Sequence, residues 1–197
     1  MRGQWRKKSV SSAVVKSVLL VVFGAIVVLG LYFLLSRSKS TSTEDNYELT
    51  AVDEITTTNL EKNYPANPRK VVDLYSKIMQ VLYKETYTDD QEVKMITVLA
   101  GIMDDELLAN QSNFVQSMKN EVAARKDGDY SISTYVVQNK EPEVMTVDGK
   151  KMCNVDCLFT LRQGTGRTLL YYQFILRQDE NNNWKILGWT IKENEEG

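Results

Sequence analysis

The chain has 197 residues, with 24 Lys and Arg against 26 Asp and Glu, two cysteines and no histidine. Without histidine it lacks the commonest general base and the usual metal ligand, and two cysteines exclude a disulfide-dense scaffold. Residues 1–39 hold seven basic side chains and no acid, whereas residues 40–197 hold 17 basic and 26 acidic ones, so the long C-terminal part repels phosphate backbones and nucleic acid is not an expected partner.

Residues 1–17 form a short basic tail. Val18 to Leu35 follows without a charge or a proline. As a helix rising ~1.5 Å per residue this run covers ~27 Å, close to the hydrocarbon core of a bilayer. It is too long for the apolar core of a signal peptide, and Ser36-Arg37-Ser38-Lys39 after it resembles no small-residue cleavage site. The expected element is a single transmembrane helix. Arg2, Arg6, Lys7, Lys8 and Lys16 precede it and only Arg37 and Lys39 follow closely, which predicts a cytoplasmic N-terminus and an extracytoplasmic C-terminal domain. Gly24 and Gly30 stand six apart, so there is no G-x-x-x-G dimerisation face.

Residues 36–66 read as a linker. Ser36 to Asn46 is small and polar, a flexible tether. Tyr47 to Ala66 mixes helical and strand-like signals and is expected to be partly ordered along the domain. Asn67-Pro68 is an N-cap followed by a first-turn proline. Val71, Leu74, Tyr75, Ile78 and Leu82 then make an amphipathic stripe fading near Thr86. Thr88 to Gln91 is a capping box opening a second helix, with Val93, Ile96, Ala100, Met103 and Leu107 inward, expected to stop near Asn110. Ser112 is the expected cap of a third helix that buries Phe114, Met118 and Val122 and ends at Asp127-Gly128-Asp129.

From Tyr130 the period changes to two. The expected strands are Ser131 to Gln138, Glu143 to Val147 turning at Asp148-Gly149 into Lys151 to Arg162, then Thr168 to Arg177 and Trp184 to Ile191. Cys153, Val155, Cys157, Phe159 and Leu161 alternate onto one apolar face, which should pack on the helices. The prediction is an α+β domain over residues 67–193, with three helices on a curved antiparallel sheet of four to five strands, and a tail at 194–197.

This arrangement resembles the nuclear-transport-factor-2-like cone. The residues carrying the likeness are Asn67-Pro-Arg-Lys-Val-Val-Asp-Leu-Tyr75, Asp104-Asp-Glu-Leu-Leu108 and Asn183-Trp-Lys-Ile-Leu-Gly-Trp189. More closely, the chain looks like an uncharacterised family of small single-pass membrane proteins of Gram-positive, clostridia-type bacteria. That resemblance implies a fold and a location and no activity. Enzymes of the wider superfamily typically rely on His or Asp inside the cone, and His is absent here.

Cys153 and Cys157 are i and i+4 on one strand, ~13 Å apart, beyond the ~7 Å reach of a disulfide. Two buried free thiols are expected, and two Cys without His do not make a zinc site. Asp179 to Asn183 resembles a calcium loop, but Trp184 and Thr190 stand where Gly and Glu are needed, so a turn is expected. Gly164-Thr-Gly166 lies between strands and opens no helix, which removes a phosphate cradle. Asp104, Asp105 and Glu106 gather near an expected helix C-terminus, where the dipole disfavours them; they read as a solvated face. Asp156 has no acid–base partner in sequence. No cofactor, no metal and no catalytic constellation is expected.

Aromatic residues concentrate at the end of the chain: Tyr171, Tyr172, Phe174, Trp184 and Trp189. Leu170, Tyr172 and Phe174 share one face of their strand; Leu169, Tyr171 and Ile175 share the other. Both faces are apolar. The second is either covered, by Tyr47 to Ala66 or a helix, or is an interaction surface formed by these aromatics. The expected function is a non-catalytic, membrane-anchored module that binds another envelope protein or a second copy of itself. The alternative is a cone that holds a small apolar ligand, with or without chemistry.

Overall fold

The structure, a computed structural model, describes residues 49–192. The predicted membrane span at 18–35, the tether and the tail at 194–197 lie outside these residues. Among the described residues no helix is long and apolar enough to cross a membrane.

The folded part begins earlier than the Asn67-Pro68 punctuation. Thr50 and Asp53 form a capping box that opens helix α1, Ala51–Thr56. Val52 and Ile55 are buried, and α1 packs against two later helices rather than on the sheet. Helix α2, Pro68–Lys84, starts as expected: the Asn67 side chain accepts from the Lys70 amide at 3.0 Å. Its stripe of Val71, Tyr75, Ile78 and Leu82 is buried. Helix α3, Asp89–Gly101, carries the Thr88–Gln91 capping box.

The second helix stops at Gly101 and does not reach Asn110. A Cβ at Gly101 would approach Leu60 Cδ1 to 2.5 Å, so the close packing of Leu60 occupies that space. Ile102 to Asp104 then leave the helix and run beside the last strand: the Ile186 amide donates to Ile102 O at 2.9 Å, and the Asp104 amide donates to Ile186 O at 2.8 Å. Asp104 becomes the N-cap of a separate short helix α4, Asp105–Ala109. The acidic trio therefore lies at a helix start, where the dipole favours it, and the expected frustration disappears. Helix α5, Phe114–Asp127, is capped by Asn113 rather than Ser112, through the Gln116 amide at 3.0 Å. Of its three expected inward residues only Val122 is fully buried.

Five antiparallel strands follow: β1 Tyr130–Val137, β2 Val144–Val147, β3 Lys150–Gln163, β4 Gly166–Gln178 and β5 Trp184–Lys192. The order is β1-β3-β4-β5, with β2 also paired to β3. Asp148 and Gly149 both have positive φ, as the tight hairpin requires. The register breaks between Ile132 and Thr134 and again between Ile175 and Leu176, at irregularities that bend the sheet. Cys153, Val155, Cys157 and Phe159 face the helices and are buried. Both cysteines are free; burial pushes the Cys153 thiol up to about 12 and the Cys157 thiol up to about 11. The protein is thus α+β, five helices and a five-stranded antiparallel sheet among the described residues.

Candidate functional site

The two ends of the helix layer meet the sheet differently. At one end, the Ile102–Asp104 segment, Ile186 and Leu176 are packed solid. At the other, a cleft of about 410 Å³ opens between helices and sheet. Its floor is aromatic. Tyr75 meets Phe174 edge-on at 4.9 Å, and Phe159 meets Tyr172 in the same way at 5.2 Å. Met79 and Tyr83 of α2 and Met118 of α5 form the helical wall. Ile132, Leu161 and Leu170 form the sheet wall, and Trp189 and Ile191 stand at the rim.

Glu121 and Arg125 of α5, one turn apart and bonded at 2.7 Å, border the opening and are both exposed. A charged pair keeps its solvent rather than entering an apolar wall. Arg125 also lies over the Tyr130 ring at 5.4 Å. The pair balances its own charge, and the cleft is otherwise apolar and phenolic.

Burial shifts three of the cleft phenols upward. Burial, then the Glu121 carboxylate, push Tyr83 up to about 12. Burial also raises Tyr75 and Tyr172. All three are neutral hydroxyls that can donate a hydrogen bond.

The five aromatics singled out in sequence do not form one surface. Phe174 is fully buried beneath the cleft, against the Tyr75 ring. Trp184 is buried at the opposite end, where its carbonyl accepts from the Tyr64 hydroxyl at 2.9 Å. Both are removed from the surface because alternation and the helix layer place them in the core. Tyr172 and Trp189 line the cleft. Tyr171, 40% exposed, is alone on the outer face of the sheet. There it stands in register with Leu158 and, one strand further, Val136. Val136 and Leu169 are also exposed, so this row is uncovered. Tyr75, Tyr83, Met118, Arg125 and Ile191 complete the cleft and were missed; their one signal in sequence is Tyr75 and Tyr83 on a common stripe of α2.

The other charged clusters have internal partners. Arg177 bonds Asp104 in a fork, with Nε to Oδ2 at 2.9 Å, and reaches Glu106 at 3.0 Å. Burial works to raise the Asp104 carboxyl, but the Arg177 bonds and the Glu106 amide overcome it and hold it below the usual range. Asp156 lies on the outer face between Gln173 and Lys192, each at 3.0 Å. Asp179 Oδ1 accepts from the Asn181 and Asn183 amides, at 2.9 and 2.8 Å, which makes the segment a turn. Among the described residues no group of three or more His, Cys, Asp or Glu is placed to hold a metal ion.

The domain is thus α+β, with an apolar cleft at one end of its sheet. Residues 6–189 match the family described as a domain of unknown function, DUF6715, and the chain belongs to that family. No curated protein matches the chain. The crystal structure of the intermembrane space region of chloroplast protein ARC6 is similar at 12% identity, over 62% of this chain and 92% of that one, with a TM-score of 0.33. At that distance the likeness says nothing about activity.

Proposed function

We propose that this is a non-catalytic binding protein of the cell envelope. Residues 18–35 anchor it in the membrane with the N-terminus inside, and its extracytoplasmic domain receives an apolar group in the cleft. The anchor reading is supported by the uncharged run and by the basic residues before it. The resemblance to nuclear-transport-factor-2-like cones, and to single-pass proteins of clostridia-type bacteria, supports the same reading.

The observation that carries the binding reading is the cleft itself. Its volume of about 410 Å³ falls within the size of pockets that hold small ligands, and its one ion pair is closed on itself. Neutral phenols at the walls supply orientation rather than chemistry. The test is titration of the full-length chain in nanodiscs with the uncharged fluorophore N-phenyl-1-naphthylamine, empty nanodiscs serving as background. Met118→Trp fills the space and should weaken binding about tenfold, the loss of ~1.4 kcal/mol. Equal binding by the parent chain and Met118→Trp would sink the reading.

A second reading rests on the outer face. Val136, Leu158 and Tyr171 form an apolar row across three strands, which suits contact with another envelope protein or a second copy. Sedimentation of the full-length chain tests the second-copy form: association abolished by Tyr171→Glu supports it, and a concentration-independent monomer removes it.

A further inference from the structure

β5 changes character along its length. Over its first half its far edge is covered: the Ile186 amide and carbonyl are bonded to Ile102 and Asp104. Beyond the register break the strand order ends at β5, and among the described residues no element pairs with that edge. Trp189, Thr190, Ile191 and Lys192 are all exposed. A strand that presents a tryptophan and an isoleucine to water beside an unpaired edge is a template for another strand. Lysine, proline or a covering loop usually blunts such an edge, and among the described residues Lys192, at the end of β5, is the one that does so.

The same two residues, Trp189 and Ile191, form the rim of the cleft. The edge and the cleft are therefore one continuous feature. A strand laid along β5 extends the sheet by one, and its side chains alternate between the two faces. Every second side chain turns to the inner face, toward the cleft. The intervening ones turn to the outer face, where Thr190 and Lys192 lie.

We infer that the occupant of the cleft is an extended peptide segment that adds to the free edge of β5 and inserts alternate apolar side chains past Trp189 and Ile191. This rests on the cleft being a binding site, as proposed above. The charges decide the segment's chemistry. The cleft wall is neutral because Glu121 and Arg125 satisfy each other, so the inward side chains are uncharged and apolar. The outward ones meet the Thr190 hydroxyl and the Lys192–Asp156 pair, which is likewise closed on itself at 3.0 Å. They are uncharged polar residues. Main-chain bonds to β5 provide the affinity and the cleft provides the selection.

The test uses the full-length chain in nanodiscs and a fluorescein-labelled decapeptide alternating leucine with threonine and glutamine, read by anisotropy. Two further peptides carry N-methyl groups on one or the other alternate set of amides. In an added strand only one set faces β5. That set's methylation should weaken binding by about tenfold or more, the loss of bonds summing to at least ~1.4 kcal/mol, while the other set leaves it within about twofold. Ile191→Lys should weaken the parent peptide similarly, because a charge guards the edge. Equal affinity for all three peptides, or no peptide binding where the fluorophore still binds, overturns strand addition and leaves the cleft reading intact. Absence of both peptide and fluorophore binding overturns the two together.

Discussion

The two ends of this sheet are made from the same strands and behave oppositely. At the closed end, Leu176 and Ile186 are fully buried, the Ile102–Asp104 segment is tied to β5 by backbone bonds, and Arg177 holds Asp104 and Glu106 together. At the open end the same β4 and β5 carry Tyr172, Trp189 and Ile191 into the cleft, and the Glu121–Arg125 pair of α5 borders its opening. The same two strands thus run from a sealed core into an open cleft.

Substitutions sharpen that contrast, beginning with the largest. Phe174→Ala removes the aromatic floor shared by both ends and should cost about 4 kcal/mol in chemical denaturation, with loss of probe binding as well. Asp104→Ala leaves the partly buried Arg177 without its fork and should cost about 3 kcal/mol, while fluorophore binding at the far end is retained. If Asp104→Ala abolished binding in protein that remained folded, the division between ends would fail. Asn67→Ala removes a helix cap remote from the cleft and should cost about 1 kcal/mol with binding intact.

Asp104 and the two cysteines respond to opposite limits of pH. Asp104 has a lowered carboxyl, so its stabilising contribution is present above its ordinary value of 3.8 and is lost as pH falls through the lower folded value. The cysteines have raised thiols. Their contribution is complete below an ordinary value of 9.0 and is lost as pH climbs toward about 11 for Cys157 and about 12 for Cys153. Asp104→Asn should flatten the acid limb of a stability–pH curve and leave the alkaline limb; Cys153→Ala should do the reverse. An alkaline limb unchanged in Cys153→Ala and Cys157→Ala would show that the thiols are not its source.

Much of the closed end was legible in the sequence. Periodicity marks α2 and the inward face of β3, capping residues mark Asn67 and Thr88, and Asp148-Gly149 marks the hairpin. The break after Gly101 was not legible, because the apolar spacing of Ala100, Met103 and Leu107 continues through it. What ends the helix is tertiary: the close approach of Leu60 and the pairing of Ile102 and Asp104 with β5. Helix α1 was obscured by the strand-like Ile55-Thr-Thr-Thr58, whose threonine hydroxyls here fold back to helix carbonyls, Thr57 to Asp53 at 2.7 Å and Thr58 to Glu54 at 2.9 Å. The cleft was half visible. The aromatic strands showed that both sheet faces are apolar, but how far the helices reach along them is a matter of packing that no local pattern records.

Amide hydrogen exchange along β5 in the full-length chain tests the division between the ends most directly. The account predicts that Ile186, bonded to Ile102, exchanges only with global unfolding, that segment 188–192 exchanges about a hundredfold faster, and that the alternating decapeptide slows this segment alone. Uniform protection from Trp184 to Lys192 without any added peptide would contradict it.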